Sequence, residues 1–288
     1  MTTTLRAATW MVGAISAFTM MAIAGRAASL DLDTFEIMLY RSLVGLLIVG
    51  FVAWKAGTLH QISRDRIGLH FARNLFHFTG QNLWFFAITV IPLAQVFALE
   101  FTTPIWVILL SPFILGERIT KIGGVAAAIG FIGVLIVARP DFNNLNAGVI
   151  AAGLSATAFA MTAIFTRKLT QTASITCILA YLTGMQAVFG AISAGFDGDI
   201  ALPTAQTLPW VVVIGLAGLT AHFCLTKALS IAPASVVMPI DFARLPIIAI
   251  VGIVLYAEPV DSLVLVGGAI IFAANYININ YGQTKGAP

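Results

Sequence analysis

Apolar residues run along this chain in blocks rather than in alternation or in a stripe on one helical face. A helix needs about 20 consecutive apolar residues to cross a bilayer. Ten blocks reach roughly that length: 7–25, 36–54, 69–91, 93–115, 121–138, 147–166, 175–195, 209–230, 233–256 and 262–280. Each is expected to form a transmembrane helix. Short polar stretches part them, and two junctions are very tight, at Ile91-Pro92 and Ala232-Pro233. Proline suits a helix start, where its missing N–H is not needed. Longer polar connections fall at 57–65 and 197–207, and neither is large enough to hold a catalytic domain.

Composition agrees with the pattern. Of the 288 residues, 59% are hydrophobic and 9% charged, with a mean hydropathy of +0.98; soluble domains carry about 25% charged residues. An ordinary soluble domain is excluded. Cys177 and Cys224 lie in apolar blocks, without the number for a disulfide framework or the spacing of a metal site. No cofactor or metal is expected. The net charge of +3 does not point to nucleic acid, because the basic residues flank apolar blocks and serve to orient the chain. With the N-terminus inside, Arg6, Lys55, Arg64, Arg66, Arg118, Lys121, Arg167, Lys168 and Lys285 fall on the cytoplasmic side. Asp31, Asp33, Glu36, Asp141, Asp197, Asp199, Glu258 and Asp261 fall outside, with Arg26 and Arg139. This asymmetry predicts a multi-pass protein of the cytoplasmic (inner) membrane with both termini cytoplasmic. Arg6 followed by an apolar run and Ala22-Ile23-Ala24-Gly25 has the look of a signal peptide. The repeat described next argues that this run is retained as a helix.

The chain repeats itself at an offset of 141 residues. Pro92 matches Pro233, Ala87 matches Ala228, Phe101 matches Phe242 and Glu117 matches Glu258. Phe18, Met20, Ile23 and Arg26 match Phe159, Met161, Ile164 and Arg167, and Tyr40 matches Tyr181. Residues 1–140 and 141–288 are therefore read as two five-helix repeats, joined at Arg139-Pro140-Asp141-Phe142-Asn143-Asn144. Five spans is an odd number, so the halves must be inverted in the bilayer. Inverted repeats place a site near the midplane, at the interface between halves. The expected fold is an all-α membrane protein, with ten transmembrane helices in two inverted five-helix repeats around a central cavity.

Ionisable side chains inside spans are costly and mark functional sites by default. They are Arg41, Arg73, His77, Glu100, His222, Lys227, Asp241 and Arg244. Arg73, His77, Gln81 and Trp84 step by four, four and three, on one helical stripe. Gln81 is the repeat-mate of His222, so matching polar positions should face one another across the interface. His77, Gln81, Trp84 and His222 are expected to form a substrate-binding wall, or else to pack helices together by polar contacts. Arg73, near a span end, reads better as a snorkelling residue, and Lys227 as an interfacial anchor. Glu100 precedes Thr102, Thr103 and Pro104; its mate Asp241 lies between Pro239 and Pro246, with Arg244 three residues on. An acid beside helix-breaking prolines in each half suits a kinked gating helix. Arg244 could take a carboxylate, and Glu100 or Asp241 an ammonium or a coupling proton; alternatively these charges form a structural ion pair. Glu117 and Glu258 read as helix-end residues. Trp10, Trp54 and Trp210 fit an interfacial belt, while Trp84 and Trp106 lie deeper. An aromatic cavity with few polar groups suits a small organic molecule better than a hydrated ion.

The runs Pro92-Leu93-Ala94, Thr103-Pro104, Leu115-Gly116-Glu117 and Gly123-Gly124, echoed by Pro233-Ala234-Ser235, Ala257-Glu258 and Gly267-Gly268, resemble the EamA-type branch of the drug/metabolite transporter superfamily. The likeness spans essentially the whole chain and is closest to amino-acid exporters, including those for aromatic amino acids. It implies eight helices around a central cavity, with the fifth and tenth more peripheral, and alternating access for small solutes. Ala257, where the first half has glycine, departs from the pattern.

The resulting expectation is a secondary transporter of small organic solutes, amino acids (aromatic ones included) or related metabolites, working by alternating access, with export implied by the resemblance, and no enzyme: no HExxH helix, phosphate loop or local nucleophile constellation appears. Its partners would be a small-molecule substrate (an amino acid or similar metabolite) and the lipid bilayer, with no nucleic acid. A multidrug carrier, a channel and an intramembrane enzyme are the competing readings. The sequence leaves direction, proton coupling and oligomeric state open.

Overall fold

A computed structural model describes residues 3–116, 120–138, 146–196, 198–257 and 262–281. Among the described residues every regular element is a helix, and none is a strand. In order they form α1 (Thr3–Ala28), α2 (Thr34–Lys55), a short 3-10 turn (Leu59–Gln61), α3 (Ile67–Val90), α4 (Leu93–Glu100), α5 (Thr103–Leu115) and α6 (Lys121–Ala138). The second half gives α7 (Ala147–Leu169), α8 (Ile175–Ala194), α9 (Leu208–Ile231), α10 (Ala234–Val237), a 3-10 segment (Met238–Ala243), α11 (Arg244–Tyr256) and α12 (Ser262–Tyr281). The expected boundaries hold to within a few residues. Glu117, Glu258 and the junction at 139–144 lie outside the described residues.

Among the described residues six stretches are long and apolar enough to cross a membrane: α1, α2, α7, α8, α9 and the run Ala234–Tyr256. α5 and most of α6 are shorter apolar helices. α3 has the length, but His70, Arg73, Asn74, His77 and Gln81 interrupt its apolar run. Large apolar side chains face outward, with Leu47 75% and Phe113 87% exposed. Such a surface needs lipid around it. The protein is a multi-pass membrane protein.

Two blocks expected as continuous helices are broken. The first interrupts at Phe101–Thr102, and Pro104 opens α5. The second passes through the 3-10 segment, with Pro239 in its first turn, before α11 carries Pro246. A proline lacks the N–H that a continuing helix would use. The breaks fall beside Glu100 and Asp241, at the same register of the repeat.

Helix ends repeat too. Ile91 and Ala232 close α3 and α9 with φ, ψ of −132°, 160° and −135°, 158°, and Pro92 and Pro233 follow at −56°, 142° and −56°, 148°. Gly116 and Ala257 both end their helices in the left-handed region, at φ 68° and 52°. Ala257 thus adopts the turn that its glycine mate forms without penalty. Asp33 and Glu36 cap the start of α2 reciprocally.

The halves interlock. α1 packs most extensively on α9, α3 on α7, α2 on α8 and α6 on α12. Exchanging the halves by 141 residues turns the first pair into the second and the last two into themselves. Small residues permit this closeness. A Cβ on Gly190 of α8 would sit 2.8 Å from the Cα of Leu39 of α2, and one on Gly80 of α3 would sit 3.0 Å from the Phe159 ring of α7. Phe101 and its mate Phe242 meet edge to face at 5.9 Å, so the two broken segments touch each other on the axis of the repeat.

Candidate functional site: a charged, aromatic cavity

One cavity is lined by α1, α3, α4, α5, α7 and α9 together with the broken segment 238–244. His77, Gln81, Trp84, Glu100, Thr103, His222, Asp241 and Arg244, all singled out from sequence, line it, as does Pro104. Pro239 and Pro246 stand outside the lining, in the segments that carry Asp241 and Arg244. The cavity volume is about 60 Å³, far below the roughly 300–1,000 Å³ of a cavity that holds an organic ligand. The conformation is nearly closed, and an organic solute would need the helices to part.

At one end sits an ion triad. Arg244 Nη2 donates to Glu100 Oε1 at 2.5 Å and to Asp241 Oδ2 at 2.7 Å. The repeat-mates Glu100 and Asp241 thus share one guanidinium, whose own repeat-mate is the neutral Thr103. Trp84 Nε1 donates to the other Glu100 oxygen at 2.7 Å. Phe18, Phe97 and Phe101 stack around the guanidinium, with centroids 5.1, 5.0 and 5.2 Å from its central carbon. Arg244 is therefore engaged in an ion pair, the alternative left open from sequence, rather than held free for a substrate carboxylate. Asp241 Oδ1 and Arg244 Nε have no partner, so the triad keeps some unused hydrogen-bonding capacity. Its formal charge is negative by one.

In the same cavity His77 and His222 meet edge to face, with ring centroids 4.5 Å apart. Both are buried, and none of their four ring nitrogens has a partner. Gln81 turns its carbonyl oxygen to Arg41 Nη1. Arg73 Nε donates to Thr166 Oγ1 at 3.1 Å, and its Nη1 to Asn74 Oδ1 at 2.8 Å. Arg73 is only 1% exposed, which corrects the snorkelling expectation: its helix is long enough, and its neighbours polar enough, to hold it inside. Thr103 donates to the Ala156 carbonyl and so ties α5 to α7.

The sequence reading missed Met21, Thr162, Thr166 and Met238 as cavity residues. Phe18 and Phe159 also line it. They are repeat-mates, and that symmetry was the available signal for them.

The comparison that decides the family is a model of the EamA-like transporter family, which matches twice, over residues 5–139 and 146–280. The chain belongs to the EamA-like transporter family. As a member it is a membrane transporter. Its relatives include an S-adenosylmethionine uptake transporter of Rickettsia felis, 27% identical over 88% of this chain and 85% of that protein. A riboflavin transporter of Brucella anthropi is 28% identical over 92% of this chain and 95% of its own. A solved crystal structure with 15% identity superposes with a TM-score of 0.77 over 94% of this chain and 96% of its own, a likeness of fold.

Proposed function

We propose that this member of the EamA-like family is a secondary carrier that moves a small, ring-bearing organic metabolite across the cytoplasmic membrane. Two inverted five-helix halves, residues 1–140 and 141–288, would expose the cavity alternately to each side, with ten spans and both termini cytoplasmic. One observation carries this reading. The eight polar or aromatic residues nominated from sequence line a single buried cavity beside two helix breaks in matching register. Broken helices at a midplane site are how inverted-repeat carriers bind solutes. The aromatic residues Phe18, Trp84, Phe101 and Phe159 suit a flat ring, and Asp241, Arg244 and the histidine pair suit its polar groups.

The relatives bear on the substrate. Their names, S-adenosylmethionine uptake and riboflavin transporter, lend no support to an amino-acid exporter. Both molecules carry a heteroaromatic ring, and S-adenosylmethionine also has an amino-acid head group. The substrate class proposed here is accordingly a heteroaromatic metabolite with a polar head, taken up rather than expelled.

Counterflow in proteoliposomes tests the proposal, using labelled S-adenosylmethionine, riboflavin and aromatic amino acids. Saturable exchange of a heteroaromatic metabolite, lost on Gln81→Ala and on His222→Ala, is the expected outcome. Exchange of aromatic amino acids alone would return the assignment to that class. Unsaturable flux without trans-stimulation would make the protein a channel.

A further inference from the structure

Among the described residues three guanidinium groups, Arg41, Arg73 and Arg244, and three carboxylates, Glu36, Glu100 and Asp241, are buried, but they are not paired one to one. Arg244 takes Glu100 and Asp241. Glu36, the remaining buried acid, is spent at the start of α2 on the backbone N–H groups of Asp33 and Ala201. It lies five residues before Arg41, about 7 Å along the helix axis. Arg41 and Arg73 meet neutral partners only: Gln81 and the Met21 sulfur for one, Thr166 and Asn74 for the other. Among the described residues neither has a carboxylate in contact.

A bare guanidinium inside a membrane is costly. Gln81 and Thr166, the acceptors that fix the two arginines, line the cavity themselves. The charges therefore stand directly behind its wall. The histidine nitrogens of the same cavity are buried and without partners. An electropositive wall with idle donors, in a cavity that the acidic triad also lines, is built for a guest with an anionic end.

We propose that Arg41 and Arg73, acting with the His77–His222 pair, form an anion subsite that takes the carboxylate of the transported solute. The planar guanidinium fork matches a carboxylate, and the histidines offer N–H donors at the lip. The ring of the solute then lies toward Phe159 and Phe18, and a cationic or donor group toward Asp241 Oδ1. The subsite rests on the carrier reading above, and it also fixes which way round the solute sits.

Benzoate is the probe, with benzamide as its uncharged isostere. Thermal unfolding of the purified protein in detergent is followed by tryptophan fluorescence while each is titrated. Benzoate should raise the midpoint saturably, and benzamide, sodium chloride and inorganic phosphate at matched ionic strength should not. Arg41→Gln and Arg73→Gln should each weaken the apparent benzoate affinity by about tenfold or more, and Arg41→Lys should weaken it less. Equal stabilisation by benzamide or chloride, a stronger response to phosphate, or a folded Arg41→Gln/Arg73→Gln variant with wild-type affinity overturns the proposal. The wild-type titrations decide it even where a variant does not fold. Benzoate binding without counterflow of any solute would sink the carrier reading alone. Counterflow without a benzoate response would sink the anion subsite alone.

Discussion

Removing Arg244 should do more harm than removing the whole ion triad. The side chain is 2% exposed and holds Glu100 and Asp241 at 2.5 and 2.7 Å. Arg244→Gln leaves two like charges buried at close quarters with no counter-ion. Breaking a buried pair in this way costs about 3–5 kcal/mol. Losing the guanidinium from among three rings adds about 0.5–2 kcal/mol for each contact. Glu100→Gln is milder: Arg244 keeps Asp241, and Trp84 can still donate to the amide oxygen. The cost there is one charge-assisted hydrogen bond, about 1.5–3 kcal/mol. The triple variant Glu100→Gln/Asp241→Asn/Arg244→Gln removes every charge, leaves none uncompensated, and should recover part of the loss, because neutral replacements often cost little. The order of stability is thus wild type, Glu100→Gln, triple variant, Arg244→Gln, with the last separated from wild type by at least about a hundredfold in its unfolding equilibrium. Unfolding in mixed micelles by added SDS, followed by tryptophan fluorescence, measures it. A triple variant less stable than Arg244→Gln, or an Arg244→Gln protein as stable as wild type, would show that the triad does not balance charge as described.

Two further predictions concern the scaffold. Ala257→Gly should stabilise the protein by about 0.5–1 kcal/mol, since Ala257 sits at φ 52° where its mate is glycine; the same SDS titration reads it, and no gain would mean that the turn is unstrained. Gly190→Ala should lower the yield of folded protein on size-exclusion chromatography, because its Cβ would press on the Leu39 backbone, whereas Gly153→Ala, with nothing within 4 Å, should not.

The sequence was most legible where one physical requirement ruled. Bilayer thickness sets block length, so the helices α1, α2, α6 and α8 begin and end close to where the apolar runs do. The 141-residue register carried the cavity, because repeat-mates such as Gln81 and His222 return to the same axis. Pairings were less legible. Nothing in the spacing of Arg244 tells that it reaches Glu100, 144 residues away, as well as Asp241. Arg73 misled because its place near a span end favours snorkelling, and only the packing of α3 on α7 supplies Thr166 and closes it off. The breaks at 101–102 and 238–243 lie in blocks whose hydropathy is unbroken, so only the prolines and acids marked them. Substrate identity was the least legible of all, since family resemblance is carried by turns and helix ends while chemistry is carried by a few cavity side chains.

Alternation is the central claim, and one engineered thiol tests it. With Cys177 and Cys224 replaced, Thr103→Cys puts a single cysteine in the cavity wall, in place of a side chain of nearly the same size. A membrane-impermeant maleimide is applied to right-side-out and to inside-out vesicles. Labelling from both sides, slowed in each case by transported solute, is the predicted result. Labelling from one side only, or from neither in folded protein, would contradict a cavity that opens alternately to the two faces of the membrane.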